Sequence, residues 1–321
     1  MNSEVKVSVC IITYNQEKYI DECLNGITCQ KGNFHLEIVI RDDFSTDSTF
    51  EKITNNLSKI NNNKITIKIL EAKKNLGANR NLLEVLKNCT GEYVAFCEGD
   101  DYWIDEHKIQ KQYDFISKAN TDICFTNAYM QCPFGEKKSC FSDRDKYYRY
   151  TLSEIVRAGG GGMPTASIMA AKKILNTLPE WFSNAPVGDY FIQILGSYRT
   201  GAIYLDDKTC VYRVQALGSW SSDRSKISKS QIEKEANAYI GIFNQMRGSI
   251  LSNEDADYAM ANQLYILTLI CIKLKYYKLA KKLIDLSWSS YRLVNNKQVI
   301  LKYSKLFWVL LTVYLNRNTN K

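Results

Sequence analysis

Three carboxylates fall within four residues at Glu98-Gly99-Asp100-Asp101, directly after the apolar run Tyr93 to Cys97 and before Tyr102-Trp103. Acids this close repel one another unless a cation or solvent screens them. A hard divalent ion gripping a diphosphate suits oxygen ligands of this kind and keeps only one or two protein carboxylates. A solvated acidic turn would carry the same residues. A second polar cluster, Asp42-Asp43-Phe44-Ser45-Thr46-Asp47, also follows an apolar run. Its Ser, Thr and Asp side chains can cap a following helix by accepting its free amides. Capping does not require two acids at a strand end, where a carboxylate can also accept hydrogen bonds from a nucleobase or ribose. Thr13-Tyr14-Asn15 is the third such position.

These clusters need a scaffold that brings them to one edge, and the first half of the chain supplies its pattern. Strands are expected at Val7 to Ile12, Glu37 to Arg41, Ile65 to Leu70 and Tyr93 to Cys97. Helical patterns at Gln16 to Thr28, Asp47 to Ile60 and Ala78 to Asn88 alternate with them. Strands joined by crossover helices give a parallel, doubly wound α/β sheet. Ligands of such sheets sit outside the carboxyl ends of the strands, where all three polar clusters fall. Beyond Thr121 the pieces are shorter and mixed, with strands expected at Asp122 to Ala128 and Cys210 to Val214, a glycine run at Gly159 to Gly162, and helices from about Ser230.

Composition removes several chemistries. With 321 residues and 45% hydrophobic content the chain can bury a large core. Ten cysteines are scattered without a CxxC pair, which fits reduced thiols. Only His35 and His107 are present, and neither stands at a zinc-ligand spacing, so a zinc site or a His-dependent triad is not expected. No motif that reads nucleic-acid bases is visible. The first apolar stretch lacks the basic start and small-residue cleavage site of a secretory signal, so a cytoplasmic location is expected.

Four segments, VSVCIITYNQEKYIDECLNGITCQ, RDDFSTDST, KNLGANRN and FCEGDDYW, occur in the order and spacing of the family-two glycosyltransferases, which this chain resembles over roughly residues 5 to 220. The resemblance implies an A-type glycosyltransferase fold: an α/β domain with a mostly parallel central sheet flanked by helices, here followed by a C-terminal helical extension. It implies a nucleoside-diphosphate sugar donor, most commonly a UDP-sugar, a divalent metal cofactor (Mn2+ or Mg2+), and inversion at the anomeric carbon. The acceptor would be a glycan or lipid-linked oligosaccharide in cell-surface polysaccharide assembly. Carried over by position, Thr13, Tyr14 and Asn15 match the first loop over the nucleotide, and Asp43 the acid at the base or ribose. Asn75 and Gly77 match the next donor loop, with Arg80 and Asn81 near the base. Glu98, followed by Gly99, takes the place of the first acid of the Asp-x-Asp motif, and its carboxylate would meet the ribose or metal-bound water. Metal binding then rests on Asp100 and Asp101.

The base should be a carboxylate that takes the acceptor hydroxyl proton from the side opposite the leaving group. Asp189, at the start of the helical pattern Tyr190 to Leu195, matches the family's acidic motif before a helix, and a simple N-cap would use the same residue. Thr165, behind the glycine run, and Trp103, Tyr212 and Arg213 are expected on the acceptor side. Trp103 could equally fill the core. Where the family often has a histidine two residues after that arginine, this chain has Gln215, which would weaken metal binding. A non-catalytic nucleotide-sugar-binding or scaffold protein on the same fold is the alternative.

The expected division is a catalytic domain over 1–225, with a nucleotide-sugar half to about 120 and an acceptor half over 121–225, then a helical region over 226–321. From Leu264 to Lys321 basic residues abound and Asp285 is the single acid, within a net charge of +8. Helical patterns at Tyr258 to Ile272, Tyr276 to Trp288 and Val299 to Leu315 could place this region on an anionic membrane surface, or pack as core or dimer interface. The run Leu306 to Leu315 is too short to span a bilayer.

Overall fold

The computed structural model describes residues 5–142, 146–214, 216, 224–305 and 308. The chain divides into two units: 1–183 with 187–222, and 184–186 with 223–321. The first is a layered α/β structure. Strands β1 (Val5–Thr13), β2 (Phe34–Asp42), β3 (Ile65–Leu70) and β4 (Tyr93–Glu98) alternate with helices α1 (Ile20–Thr28), α2 (Thr49–Leu57) and α3 (Ala78–Asn88). Then come β5 (Tyr102–Trp103), α4 (Lys108–Ala119), β6 (Ile123–Gln131), β7 (Lys137–Ser139), β8 (Tyr147–Tyr150), α5 (Leu152–Ala158), β9 (Met169–Ala171), α6 (Lys172–Leu175), α7 (Asp189–Ser197) and β10 (Ala202–Arg213).

The sheet runs in the order β3-β2-β1-β4-β9-β6-β10-β5, with β7 on β6 and β8 on β10. Its long ladders, β1 with β2 and β4, β2 with β3, and β6 with β10, are parallel. The antiparallel ladders, involving β5, β7, β8 and β9, are short. The β-branched run Val7-Val9-Ile11 and Ile38-Ile40 is fully buried, as a parallel strand covered on both faces requires.

Elements depart from their expected bounds for local reasons. α1 begins at Ile20 rather than Gln16, because the amides of Tyr19 and Ile20 both donate to the Gln16 carbonyl in a turn (2.9 and 3.0 Å). α2 begins at Thr49 because the Asp47 carboxylate accepts from the Thr49 amide and hydroxyl (3.0 and 2.5 Å). β10 starts at Ala202, well before the expected Cys210, since its register on β6 shifts between Leu205 and Cys210. That irregularity places the polar Asp206-Asp207-Lys208 inside a strand, where alternation is lost.

The second unit is helical: α8 (Lys229–Met246), α9 (Asn253–Lys273), α10 (Tyr277–Ser290) and α11 (Asn296–Tyr303). Ser228 and Gln231 form a capping box at the start of α8. The Ser287 hydroxyl of α10 donates to the Ala261 carbonyl of α9 (2.7 Å), and Gln298 of α11 donates to the Ser287 hydroxyl (2.8 Å). Asp285, the lone acid of the basic stretch, pairs with Lys302 and Lys305. Among the described residues no helix is long and apolar enough to cross a membrane. Most of the expected helix Val299 to Leu315 lies outside the described residues.

Candidate active site

The parallel strands end together, and the polar clusters meet there. β1 ends at Thr13, whose hydroxyl donates to Gln16 Oε1 (2.7 Å). Gln16 in turn hydrogen-bonds the Asp100 carboxylate. Gly99 is obligatory between them, because a Cβ there would stand 2.5 Å from Gln16 Oε1 and 2.6 Å from Thr13 Oγ1. Asn15, at φ 52°, crosses to the second cluster. Its amide donates to Ser45 Oγ (2.8 Å) and its side-chain oxygen accepts from the Thr46 amide (2.8 Å). Tyr14 is left exposed.

The two acids at the end of β2 do different work. Asp42 accepts from the Ser45 amide (2.8 Å) and hydroxyl and shapes its own turn. Asp43 is buried, paired with Arg41 (2.7 Å), and accepts from the amides of Leu76 (2.9 Å) and Gly77 (2.8 Å). Arg41 also donates to Asn81 Oδ1 (2.7 Å). The carboxylate expected at the nucleoside thus fixes the 75–77 loop, in which the Asn75 side chain accepts from the Gly77 amide (3.0 Å). Gly77 takes φ 81° at the start of α3, a conformation that favours glycine. Arg80 is exposed on the first turn of that helix.

At the end of β4 the three acids are poorly compensated. Burial first, then the carboxylates of Asp100 and Asp189, push Glu98 up to about 8. Burial also raises Asp100, and burial with the charges of Asp100 and Glu98 raises Asp101 well above the usual range. Asp101 is 1% exposed; one of its oxygens accepts from the Arg213 amide (2.9 Å), while Oδ2 has no hydrogen-bond partner among the described residues. Charge shared among buried acids, with an orphaned oxygen, is a deficit of positive charge. Among the described residues no three Asp, Glu, His or Cys groups could share one metal ion. A divalent ion that is also held by a diphosphate needs only one or two carboxylates, and Asp100 and Asp101 fit that demand.

Asp189, at the first turn of α7, faces this cluster, and its charge acts on both Glu98 and Tyr212. Its backbone neighbour Gly188 packs against α3: a Cβ there would lie 2.8 Å from Asn79 Oδ1 and 3.1 Å from Leu82. Burial pushes Asp189 up to about 6, against hydrogen bonds from the Tyr190 amide and the Thr165 side chain. That value suits a group exchanging protons near neutrality. The phenol of Tyr212 is pushed up to about 12 by burial and by the four nearby carboxylates.

Two acceptor-side expectations change. Trp103 is 3% exposed, and its indole N–H donates to the Ala166 carbonyl (2.9 Å), so it is a core residue with no free face for a sugar. Arg213 is buried, and its guanidinium is spent on protein groups. It donates to the Asp100 carbonyl (2.5 Å), pairs with Glu22 of α1, and lies over the rings of Tyr102 (4.3 Å) and Tyr19 (5.0 Å). It braces the acidic loop. The short β5–β10 pairing, Cys210 with Trp103 and Val211 with Tyr102, sets this contact. The glycine run is anchored too: Gln193 of α7 donates to the carbonyls of Gly160 (3.0 Å) and Met163 (3.3 Å). Sequence reasoning missed Gln16, Glu22 and Arg41, whose roles depend on partners far away in the chain. Gln215 lies outside the described residues.

Comparison with known proteins agrees with this geometry. Residues 8–161 match glycosyl transferase family 2. The chain is 30% identical over 225 residues to the uncharacterized protein Rv1520 of Mycobacterium tuberculosis, an alignment covering 68% of this chain and 63% of that one. It is 34% identical over 121 residues, 37% of this chain and 20% of the relative, to the Staphylococcus aureus poly(ribitol-phosphate) beta-N-acetylglucosaminyltransferase TarS. The crystal structure of TarS residues 1–349 with UDP-GlcNAc superimposes with a TM-score of 0.67 at 19% identity, over 96% of this chain and 88% of that one. The Pyrobaculum calidifontis mannosyltransferase PcManGT, crystallised with GDP-Man and Mn2+, gives 0.56 at 14% identity, over 97% and 87%. The chain therefore spans less than two thirds of the mycobacterial relative's length. Residues 8–161 thus carry a glycosyl transferase family 2 domain, and the fold is the A-type glycosyltransferase fold.

Proposed function

We propose that the protein transfers a single sugar from a nucleoside-diphosphate donor to a hydroxyl of a glycan or lipid-linked acceptor, with inversion, in cell-surface polysaccharide assembly. The observation that carries this reading is the under-compensated acidic cluster Glu98, Asp100 and Asp101 at the strand ends, faced by the separately held carboxylate of Asp189. The names of TarS, a poly(ribitol-phosphate) beta-N-acetylglucosaminyltransferase, and of its complex with UDP-GlcNAc favour a UDP-sugar and a surface polymer. The GDP-Man and Mn2+ complex of PcManGT favours a metal-dependent donor site.

In this reading Thr13, Tyr14, Asn15 and the 75–77 loop, braced by Asp43, surround the nucleoside, and Glu98 reaches the ribose. Asp100 and Asp101 would hold a divalent cation, which would supply positive charge to the departing diphosphate. Asp189 takes the proton from the acceptor hydroxyl as its oxygen forms the new glycosidic bond. Thr165 keeps that carboxylate oriented, and Tyr212, held in its protonated form, stands at the edge of the cluster. Arg213 and Gln16 hold the acidic loop so that its carboxylates converge without substrate. Placement at an anionic membrane surface through 264–321 would bring the enzyme to lipid-linked acceptors. Co-sedimentation with phosphatidylglycerol vesicles tests that placement, and equal recovery with and without vesicles would refute it.

The transfer reading is tested by a panel of UDP-GlcNAc, UDP-glucose, UDP-galactose and GDP-mannose with Mn2+ or Mg2+, reading nucleoside diphosphate release. Metal-dependent release from a donor supports an enzyme. Calorimetric donor binding without release, even with acceptor glycans added, would identify a non-catalytic sugar-nucleotide binder instead.

A further inference from the structure

Lys108 is 0% exposed inside the α/β unit, at the first position of α4, the helix behind the acidic loop. Its ammonium donates to Gln112 Oε1 (2.5 Å) and sits 4.4 Å from the centre of the Trp103 ring. Removing an ammonium from water costs several kcal/mol, and burial indeed lowers the Lys108 pKa. A methionine would fill the same volume at less cost. The lysine must therefore do something that a methionine could not.

What it does is visible at Gln112. An amide can turn either end toward a neighbour. Donation from Lys108 into Oε1 leaves Nε2 as the end that meets the Ser167 carbonyl, at 2.8 Å. The adjacent Ala166 carbonyl accepts the Trp103 indole N–H at 2.9 Å. Two successive carbonyls of the 3-10 turn Thr165–Ser167 are thus gripped from below by α4 and β5. The first residue of that turn, Thr165, gives its side-chain hydrogen bond to Asp189. On the far side, Gln193, one helical turn after Asp189, grips Gly160 and Met163 at the other end of the same segment.

We propose that Lys108 and Gln112 are positioning residues that set the Asp189 carboxylate through the 165–167 turn, with Lys108 fixing which end of the Gln112 amide reaches that turn. The proposal rests on the reading of Asp189 as the general base. It makes the buried lysine part of the catalytic support, since the core itself has no need of the charge.

The test uses the full chain with Mn2+ and UDP-GlcNAc, or whichever sugar nucleotide of the panel the wild type turns over. Lys108→Met is expected to lower kcat about tenfold to a hundredfold while the donor KM stays within about twofold. Its thermal midpoint should be at or above that of the wild type, as the buried charge is gone. Gln112→Glu keeps an acceptor for Lys108 and loses the donor to Ser167, and should give the same kcat loss; it decides the matter if Lys108→Met fails to fold. In an Asp189→Asn background neither substitution should lower kcat further, because they act through that carboxylate. Wild-type kcat in folded Lys108→Met and Gln112→Glu, or an undiminished loss in the Asp189→Asn background, would overturn the positioning role and leave Asp189 as base. Wild-type turnover in Asp189→Asn alone would instead remove the base assignment, and this proposal with it.

Discussion

Glu37 and Glu98 are both carboxylates on the strands of one sheet, and their surroundings are opposites. Glu37, low on β2 and fully buried, accepts from the Ser8 hydroxyl (2.5 Å), the Thr90 amide (2.6 Å) and the Thr90 hydroxyl (2.8 Å), and pairs with Lys6 and Lys68 (3.1 and 2.9 Å). Burial alone would raise its pKa, but these donors outweigh burial and hold it well below the usual carboxylate range. Glu98, at the end of β4, has other acids as its charged neighbours and is pushed up to about 8. A carboxylate that serves the fold is saturated with donors. One left short of positive charge is waiting for something the polypeptide does not provide.

This contrast can be broken from either side. At the strand ends, Asp100→Ala should abolish metal-dependent donor turnover, with a loss greater than about a thousandfold in kcat/KM, and leave the free energy of urea unfolding within about 1 kcal/mol of the wild type. Asp189→Asn should lower kcat by about a hundredfold to a thousandfold, with donor affinity by calorimetry unchanged. At the opposite edge, Glu37→Gln should cost about 2 kcal/mol in urea unfolding, because the Ser8 and Thr90 donors lose a charged acceptor, and leave donor affinity intact. A Glu37→Gln protein as stable as the wild type would show that saturation does not mark a structural acid.

The smallest effect is a pH dependence of opposite sign at the two places. Glu37 is lowered on folding, so its contribution is complete above the unfolded value of about 4.3 and disappears as pH falls through the folded value. Glu98 is raised on folding, so its contribution is complete below about 4.3 and is lost as pH rises toward 8. Thermal midpoints without divalent cation should therefore fall between pH 5 and 8, and Glu98→Gln should flatten that slope. An unchanged slope in Glu98→Gln would place the charge deficit elsewhere.

Much of this was legible in the residues. The alternation of β1 to β4 with α1 to α3 followed from hydrophobic period and turn chemistry, and it put the acids at the strand ends. Ile65–Leu70 and Ala78–Asn88 fell on their expected bounds, because a run of β-branched residues and a glycine at positive φ are local signals. The role of Arg213 was not legible. It depends on a two-residue strand at Tyr102 pairing with a strand more than a hundred residues away, and on Glu22 from a third element. Trp103 allows two readings that only the Ala166 carbonyl beneath it decides, and the burial of Lys108 depends on β5 and the distant 165–167 turn. Long-range pairing decides such cases, and spacing along the chain does not encode it.

The most direct test of the account is nucleoside diphosphate release from the sugar-nucleotide panel with Mn2+, measured side by side for the wild type and Asp100→Ala. Metal-dependent release from a donor by the wild type, absent in the variant, is the predicted result. Equal release by both proteins, or release that persists in EDTA, would contradict the assignment of the acidic cluster as the donor and metal site.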